Sequence, residues 1–300
     1  MRKIFSLSIA ILILTWLASC APKGPAEFKN AIAEKVNDVI YGNDDRLDYA
    51  DVDDQGLREM ARSTVALINT QNMIYDSVFD KYNLENEDLG LNMCSTEKFR
   101  GQPLWANCSG SLIGTDLILT AGHCVRDVKG CQNTKFVFDY TELEKKMTLD
   151  SVSAANVFAC KEIVYSTENK NAADFAIIRL DRDVMGRASI GFSDRPVTYQ
   201  DQVMMVGHPA GMPTKFTLNG KVRNLLPESF FTISIDAYTG NSGSAVFDQQ
   251  TRKIVGVLVR GENDYKRENG CYVSKHCAED ECRGEDVTRA SEIIKYLPKP

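Results

Sequence analysis

The chain has 300 residues, 43% of them hydrophobic and 25% charged, the composition of an ordinary globular protein with a sizeable core. That length suits two modest domains or one large all-β unit. A net charge of −6 lacks the basic footprint that nucleic-acid binders carry, so no nucleic-acid partner is expected. No apolar run beyond the N-terminus is long enough for a membrane helix.

Arg2 and Lys3 precede an apolar run from Ile4 to Leu17, the layout of a secretory signal. The run closes on Leu17-Ala18-Ser19-Cys20, which resembles the lipobox of bacterial lipoproteins. The resemblance implies that residues 1–19 are removed and that Cys20 carries lipid. The membrane is then met only through that anchor, in the cell envelope (periplasm or outer membrane). A plain secretory signal cut at the small residues is the alternative.

Residues 20–38 read as a tether or a propeptide, with Pro22, Gly24 and Pro25 near its start. Phe28, Ile32, Val36 and Val39 recur at helical spacing, which predicts a short amphipathic helix. From Asp44 to Glu59 seven acidic residues stand against two basic ones, as on a solvated surface. From Ser63 onward short β-rich runs recur: Thr64–Ile68, Ser111–Ile113, Leu117–Thr120, Lys135–Tyr140, Phe175–Leu180, Val203–Val206, Phe216–Leu218, Phe230–Ile235, Ala245–Phe247 and Ile254–Val259. Gly, Asn, Asp and Pro punctuate them, which predicts an all-β barrel or sandwich. Residues 69–103 and 261–285 interrupt the pattern and read as surface insertions. Val287, Ala290, Ile294 and Leu297 form one apolar stripe, predicting a C-terminal α-helix capped by Asp286 and stopped by Pro298.

Besides Cys20 there are eight cysteines: Cys94, Cys108, Cys124, Cys131, Cys160, Cys271, Cys277 and Cys282. An even set in an exported chain reads as four disulfides formed in an oxidising compartment. Their connectivity is open. The competing reading is a metal site at Cys271, His276, Cys277 and Cys282, which adjacent His276 and Cys277 argue against. No cofactor or metal is called for.

Gly240-Asn241-Ser242-Gly243 holds a serine between glycines, ahead of the apolar run from Ala245 to Phe247. A serine hydroxyl is a poor nucleophile until a base takes its proton, and glycines leave backbone N–H groups free to meet a developing oxyanion. The base must be sought among three histidines, His123, His208 and His276. His123 follows the apolar strand Leu117–Thr120. Cys108 and Cys124 flank that region, so a disulfide between them would staple the hairpin behind it. His208, in Gly207-His208-Pro209, reads as a loop residue before a turn.

Taken together, Cys108-Ser109-Gly110-Ser111-Leu112-Ile113, Leu119-Thr120-Ala121-Gly122-His123-Cys124, Asp174-Phe175-Ala176-Ile177-Ile178-Arg179-Leu180 and Thr239-Gly240-Asn241-Ser242-Gly243-Ser244 resemble the motifs of chymotrypsin-like serine peptidases. Their His, Asp, Ser order agrees with that family. Asn241 before the serine, and Val39-Ile40-Tyr41-Gly42-Asn43 as a mature N-terminus, are similar to the bacterial glutamyl endopeptidase (V8-like) branch. The resemblance covers residues 39–300 outside the two insertions. It implies two six-stranded antiparallel Greek-key barrels and a catalytic triad of His123, Asp174 and Ser242. It also implies an oxyanion hole from the N–H groups of Gly240 and Ser242.

Substrates would be proteins or peptides, and the enzyme a monomer. Asp181 and Asp183 rival Asp174, which is favoured because an apolar strand follows it. Asp236, six residues before Ser242, stands where trypsin-like members bind Lys or Arg, yet it also fits the glutamyl branch. Arg260 stands where many relatives carry tryptophan, and the alternatives for it are to meet an acidic substrate, to pair with Asp236 or to face solvent. The P1 preference is therefore basic through Asp236, or acidic as in the V8-like branch. A match of Val39 to the family's freed N-terminus implies zymogen processing between Asp38 and Val39, which would release the domain from its anchor. The alternatives are a non-catalytic envelope lipoprotein on a degenerate peptidase scaffold, and a small-ester hydrolase using the same triad.

Overall fold

Two closed β-barrels carry the chain in the computed structural model, which describes residues 40–84, 93–144, 149–261, 264–278 and 281–299. The expected signal peptide, Cys20, the tether with its helix, and Val39 lie outside the described residues. The first barrel comprises β1 (Thr64–Asn69), β2 (Ala106–Leu112), β3 (Leu117–Thr120), β4 (Thr134–Phe138), β5 (Val157–Glu168) and β6 (Asp174–Leu180). Its order is β5-β6-β3-β2-β1-β4, closed by the pairing of β4 with β5. The second comprises β7 (Gln202–Gly207), β8 (Lys215–Asn224), β9 (Phe230–Ser234), β10 (Ala245–Asp248), β11 (Ile254–Arg260) and β12 (Glu285–Arg289). Its order is β7-β10-β11-β12-β9-β8, closed by β7 with β8. All these barrel pairings are antiparallel.

The alternation of side chains along a strand explains how the barrels meet. On β6, Ala176, Ile178 and Leu180 fill the first barrel, while Phe175 and Ile177 point to a layer between the barrels. On β7, Val203 and Met205 fill the second barrel, while Met204 and Val206 join that same layer. Ala245, Phe247, Val257 and Val259 complete it. Strands buried on both faces read as continuous apolar runs, as these do. Each fully buried Val, Leu, Ile, Phe or Met among them contributes roughly 1.5–3 kcal/mol of transfer free energy. The shared layer holds β3, β6, β10 and β11 in one register, and these strands carry the residues of the candidate site.

Two barrel strands give a weak sequence signal. β5 is twelve residues long, half-exposed and twice bulged, so its alternation is broken. β12 begins with two buried carboxylates, Glu285 and Asp286, residue types that do not announce a strand.

The two insertions carry strands of their own and are tied to each other. Within the first, Met73–Asp76 and Lys81–Leu84 form a hairpin that also pairs with Ser151–Ser153. Within the second, Tyr265–Glu268 pairs with Cys271–Ser274. The disulfide Cys94–Cys271 joins the two, and Met93 pairs with Tyr272 beside it. The remaining bonds are Cys108–Cys124, Cys131–Cys160 and Cys277–Cys282. The alternative metal site thus has its cysteines committed as disulfides, and His276 is exposed.

The C-terminal helix is shorter than expected. Val287 belongs to β12, and only Ala290–Ile293 is α-helical before a 3-10 turn at Ile294–Tyr296. Asp286 caps nothing. It sits in the strand, paired with Arg260 and Arg283, and the helix starts at Arg289 with no side-chain cap. Pairing with β9 and β11 overrides the helical spacing, so Ile293 packs on the inter-barrel layer and Ile294 is exposed.

Candidate active site

His123 stands in a 3-10 turn, Gly122–Cys124, directly after β3, and the Cys108–Cys124 disulfide fastens that turn to β2. Asp174 opens β6 on the neighbouring strand and is buried. Its Oδ2 lies 2.9 Å from His123 Nδ1. Its Oδ1 accepts from the N–H groups of Gly122 (2.7 Å) and His123 (3.2 Å). Thr288 on β12 fixes the aspartate's backbone, its Oγ1 accepting from Asp174 N–H at 3.1 Å and donating to Asp174 O at 3.0 Å. Asp181 accepts instead from Ala159 N–H and Arg182 near the surface, away from the histidine.

Ser242 is half-buried in the turn between β9 and β10. Its carbonyl accepts from Ser109 N–H at 2.8 Å and lies 3.7 Å from Cys124 Sγ, which sets its backbone against the residue next to His123. Gly243 makes this approach possible, since its φ is +90° and a Cβ there would lie 2.1 Å from Ser109 O.

Hydrogen bonding along the serine turn is selective. The N–H groups of Thr239, Asn241, Gly243 and Ser244 donate to Asp264, Tyr238 O, Leu258 O and Asn241 O. Among the described residues, those of Gly240 and Ser242 donate to no group of the chain. Peptide units are planar and trans, so a held carbonyl points the N–H on the far side of its plane the opposite way. Thr239 O is held by Ala210 N–H at 2.6 Å, and Asn241 O by Ser244 N–H at 2.8 Å. The two free N–H groups are therefore fixed in direction, and a pair of aimed donors in a buried turn can receive an oxyanion.

The two residues expected to line a specificity pocket are occupied otherwise. Asp236 accepts from Tyr41 N–H at 2.7 Å through Oδ1 and from Asp45 N–H at 3.2 Å through Oδ2. Burial, reinforced by nearby Asp45, pushes its pKa up to about 8, in spite of those two bonds. It docks the Ile40–Asp45 segment onto the stretch that leads from β9 to Ser242, and each of its carboxylate oxygens accepts from a backbone N–H. Arg260 is committed as well: Nε donates to Asp286 Oδ2 (3.1 Å), Nη1 to Asn169 O (2.9 Å) and Nη2 to Ala172 O (3.1 Å). It ties β11 to the loop preceding Asp174.

His208 is a structural histidine, as its setting in Gly-His-Pro suggests. It is fully buried, with Nδ1 3.1 Å from Met212 O, and burial pushes its pKa down to about 3. The folded value lies below the ordinary 6.5, so its contribution is complete above about pH 6.5 and is lost as pH falls towards about 3. We expect the wild type to lose roughly 1.4 kcal/mol of this contribution per pH unit below 6.5. His208→Asn keeps a donor towards Met212 and lacks that slope. Denaturant midpoints of both proteins between pH 7 and 4.5 check this, and parallel profiles would remove His208 as the cause.

Sequence reasoning gave no role to Ser109, Thr288 or the Ala210 amide. Ser109 stands inside the Cys108–Ile113 motif, which was its only signal. Nothing in the order of residues marks Thr288 as a neighbour of Asp174.

Residues 108–257 match the family model described as "Trypsin-like peptidase domain". A search of curated proteins gives no match. Among solved structures, a Glu endopeptidase in complex with MPD is similar at 19% identity and a TM-score of 0.50, over 86% of this chain and 97% of that one. A protease of M. tuberculosis in an inactive form is similar at 16% identity and a TM-score of 0.48, over 83% and 92%. An inactivated protease paralogue of the scabies mite gives 15% identity and 0.48, over 79% and 93%. At these identities the likeness speaks to fold alone.

Proposed function

Because the chain belongs to the trypsin-like peptidase domain family, we propose that it is an exported serine endopeptidase acting through Ser242, His123 and Asp174. The observation that carries this reading is the buried Asp174 bonded to His123 Nδ1, beside a serine turn with two aimed, unused N–H groups. Asp174 accepts a hydrogen bond from Nδ1–H and so keeps the ring proton on Nδ1, leaving Nε2 unprotonated, the form that can take a proton from Ser242. The Ser242 oxygen attacks the scissile carbonyl, whose oxygen becomes an anion received by the N–H groups of Gly240 and Ser242. Collapse of this intermediate breaks the C–N bond, and His123 returns the proton to the leaving amine. Water repeats the sequence on the acyl-enzyme and frees the serine.

Four disulfides among the described residues support export into an oxidising compartment. Attachment through Cys20, followed by release before Val39, completes the reading. Ile40 and Tyr41 are already seated, in parallel pairing with His276 and Cys277, which agrees with a mature N-terminus at this point.

Incubating the purified domain with a peptide library tests the activity and reports P1 at once. We expect internal peptide bonds to be cut by the wild type and left intact by Ser242→Ala. Turnover of small esters without any peptide cleavage would overturn the endopeptidase reading. So would cleavage that survives Ser242→Ala.

A further inference from the structure

The serine turn is held from below by one side chain outside the triad. Ser109 on β2 is wholly buried, and four bonds meet on it. Its N–H donates to Ser242 O (2.8 Å), and its O accepts from Thr120 Oγ1 (2.7 Å). Its hydroxyl donates to Gly240 O at 2.8 Å and accepts from His208 N–H at 2.9 Å. A hydroxyl has a single proton. With the His208 amide directed at the oxygen, that proton is committed to Gly240 O.

The consequence lies in the turn Tyr238-Thr239-Gly240-Asn241, closed by Asn241 N–H on Tyr238 O at 2.9 Å. Gly240 occupies its third position with φ +97°, the value of a type II turn. In a type I turn the central peptide faces the other way, and glycine tolerates either arrangement. For this turn the central peptide is Thr239–Gly240, whose N–H is one of the two unused donors. A flip would turn that N–H away and bring Thr239 O towards its place.

A clamp that leads to Ser109 opposes the flip. The hydroxyl on Gly240 O fixes the following peptide, Gly240–Asn241, against which the central one would have to turn. The clamp itself runs through the loop His208–Gly211, whose first N–H rests on the Ser109 oxygen and whose Ala210 N–H holds Thr239 O. Ala210 makes this bond from a left-handed conformation, φ +53°. An alanine is not held there by its own preference.

We propose that Ser109 is a positioning residue, whose hydroxyl keeps the Thr239–Gly240 peptide in the orientation that aims Gly240 N–H at the substrate carbonyl. The proposal rests on the reading of Gly240 and Ser242 as the oxyanion site. Ser109 touches no substrate. It acts by making the anion-receiving arrangement permanent, so that none of the binding energy of the substrate is spent on forming it.

The test compares wild type with Ser109→Ala and with Ser109→Thr, which restores a hydroxyl. Ser63→Ala is the stability control, since Ser63 is equally buried and its hydroxyl donates to Ala188 O at 2.7 Å in another part of the chain. We expect Ser109→Ala to lower kcat by about 10- to 100-fold with KM within about twofold, less than the full loss of an oxyanion donor. Affinity for a peptide boronate, which mimics the tetrahedral intermediate, should weaken by the same factor, with Ser109→Thr recovering most of both. Ser63→Ala should lower Tm without either change. If Ser109→Ala does not fold, Ser109→Cys, of similar size but a weak donor, should show the same split. Unchanged kcat and boronate affinity in the folded variant would overturn the proposal, as would a loss confined to KM or one matched by Ser63→Ala. Failure of a fluorophosphonate to label Ser242 in the wild type would remove the underlying reading and this proposal with it. Normal labelling and turnover in both wild type and Ser109→Ala would remove this proposal alone.

Discussion

We expect Asp174→Asn to lower kcat by about 10⁴-fold at neutral pH, the size this exchange has in Ser-His-Asp triads, with little change in KM or fold. The reason is the orientation the new amide must take. Asp174 Oδ1 holds two backbone donors, Gly122 N–H and His123 N–H, so the asparagine carbonyl is drawn to that position. Its NH2 group then stands where Oδ2 was and donates to His123 Nδ1. That nitrogen becomes an acceptor, the ring proton moves to Nε2, and the histidine can no longer take the serine proton. Size and burial hardly change, so Tm should stay within a few degrees. Steady-state kinetics with the best library peptide, beside a thermal melt, checks both parts. A loss below about tenfold would mean that the aspartate does not set the tautomer.

Gly240→Ala should have the second large effect, with kcat expected to fall about 10²- to 10³-fold, the cost of one lost oxyanion donor. An added Cβ would lie 2.5 Å from His208 O and 2.8 Å from Gly211 N, both backbone atoms of the loop that braces the turn. The φ of +97° adds strain that an L side chain avoids. The turn can relieve both only by rotating its peptides, and the Gly240 N–H moves with them. Gly191→Ala serves as the silent comparison, because nothing lies within 4 Å of its Cβ and its φ carries no such strain. Boronate affinity separates this outcome from simple unfolding. A Gly240→Ala protein that binds the boronate like wild type would show that this N–H receives no anion.

What the sequence made legible follows a physical pattern. The three candidate motifs lie on or beside strands whose apolar runs are buried on both faces, and the same burial brings β3, β6 and the turn before β10 together. Local composition could therefore place His123 and Asp174 side by side. Asp236 and Arg260 stayed open in the sequence because a charged side chain's position in the chain does not tell which backbone groups will claim it. Two N–H groups from the Tyr41–Asp45 segment take Asp236, and two loop carbonyls with Asp286 take Arg260. Those partners are distant in sequence or belong to loops without periodicity. The C-terminal stripe failed for another reason: Val287 fits a helical face and a strand face equally, and the vacancy between β9 and β11 decided it. Ser109 escaped notice because its role is to hold a peptide plane. No residue pattern reports the orientation of a peptide plane.

The central claim is that Ser242 is a nucleophile activated by His123. Intact-mass and peptide mapping after treatment with a fluorophosphonate tests it most directly. The account predicts one phosphonyl group per chain, on the peptide that contains Ser242, absent in Ser242→Ala and formed far more slowly in His123→Ala. A label on another residue, no label on a folded wild type, or equal labelling rates with and without His123 would contradict it.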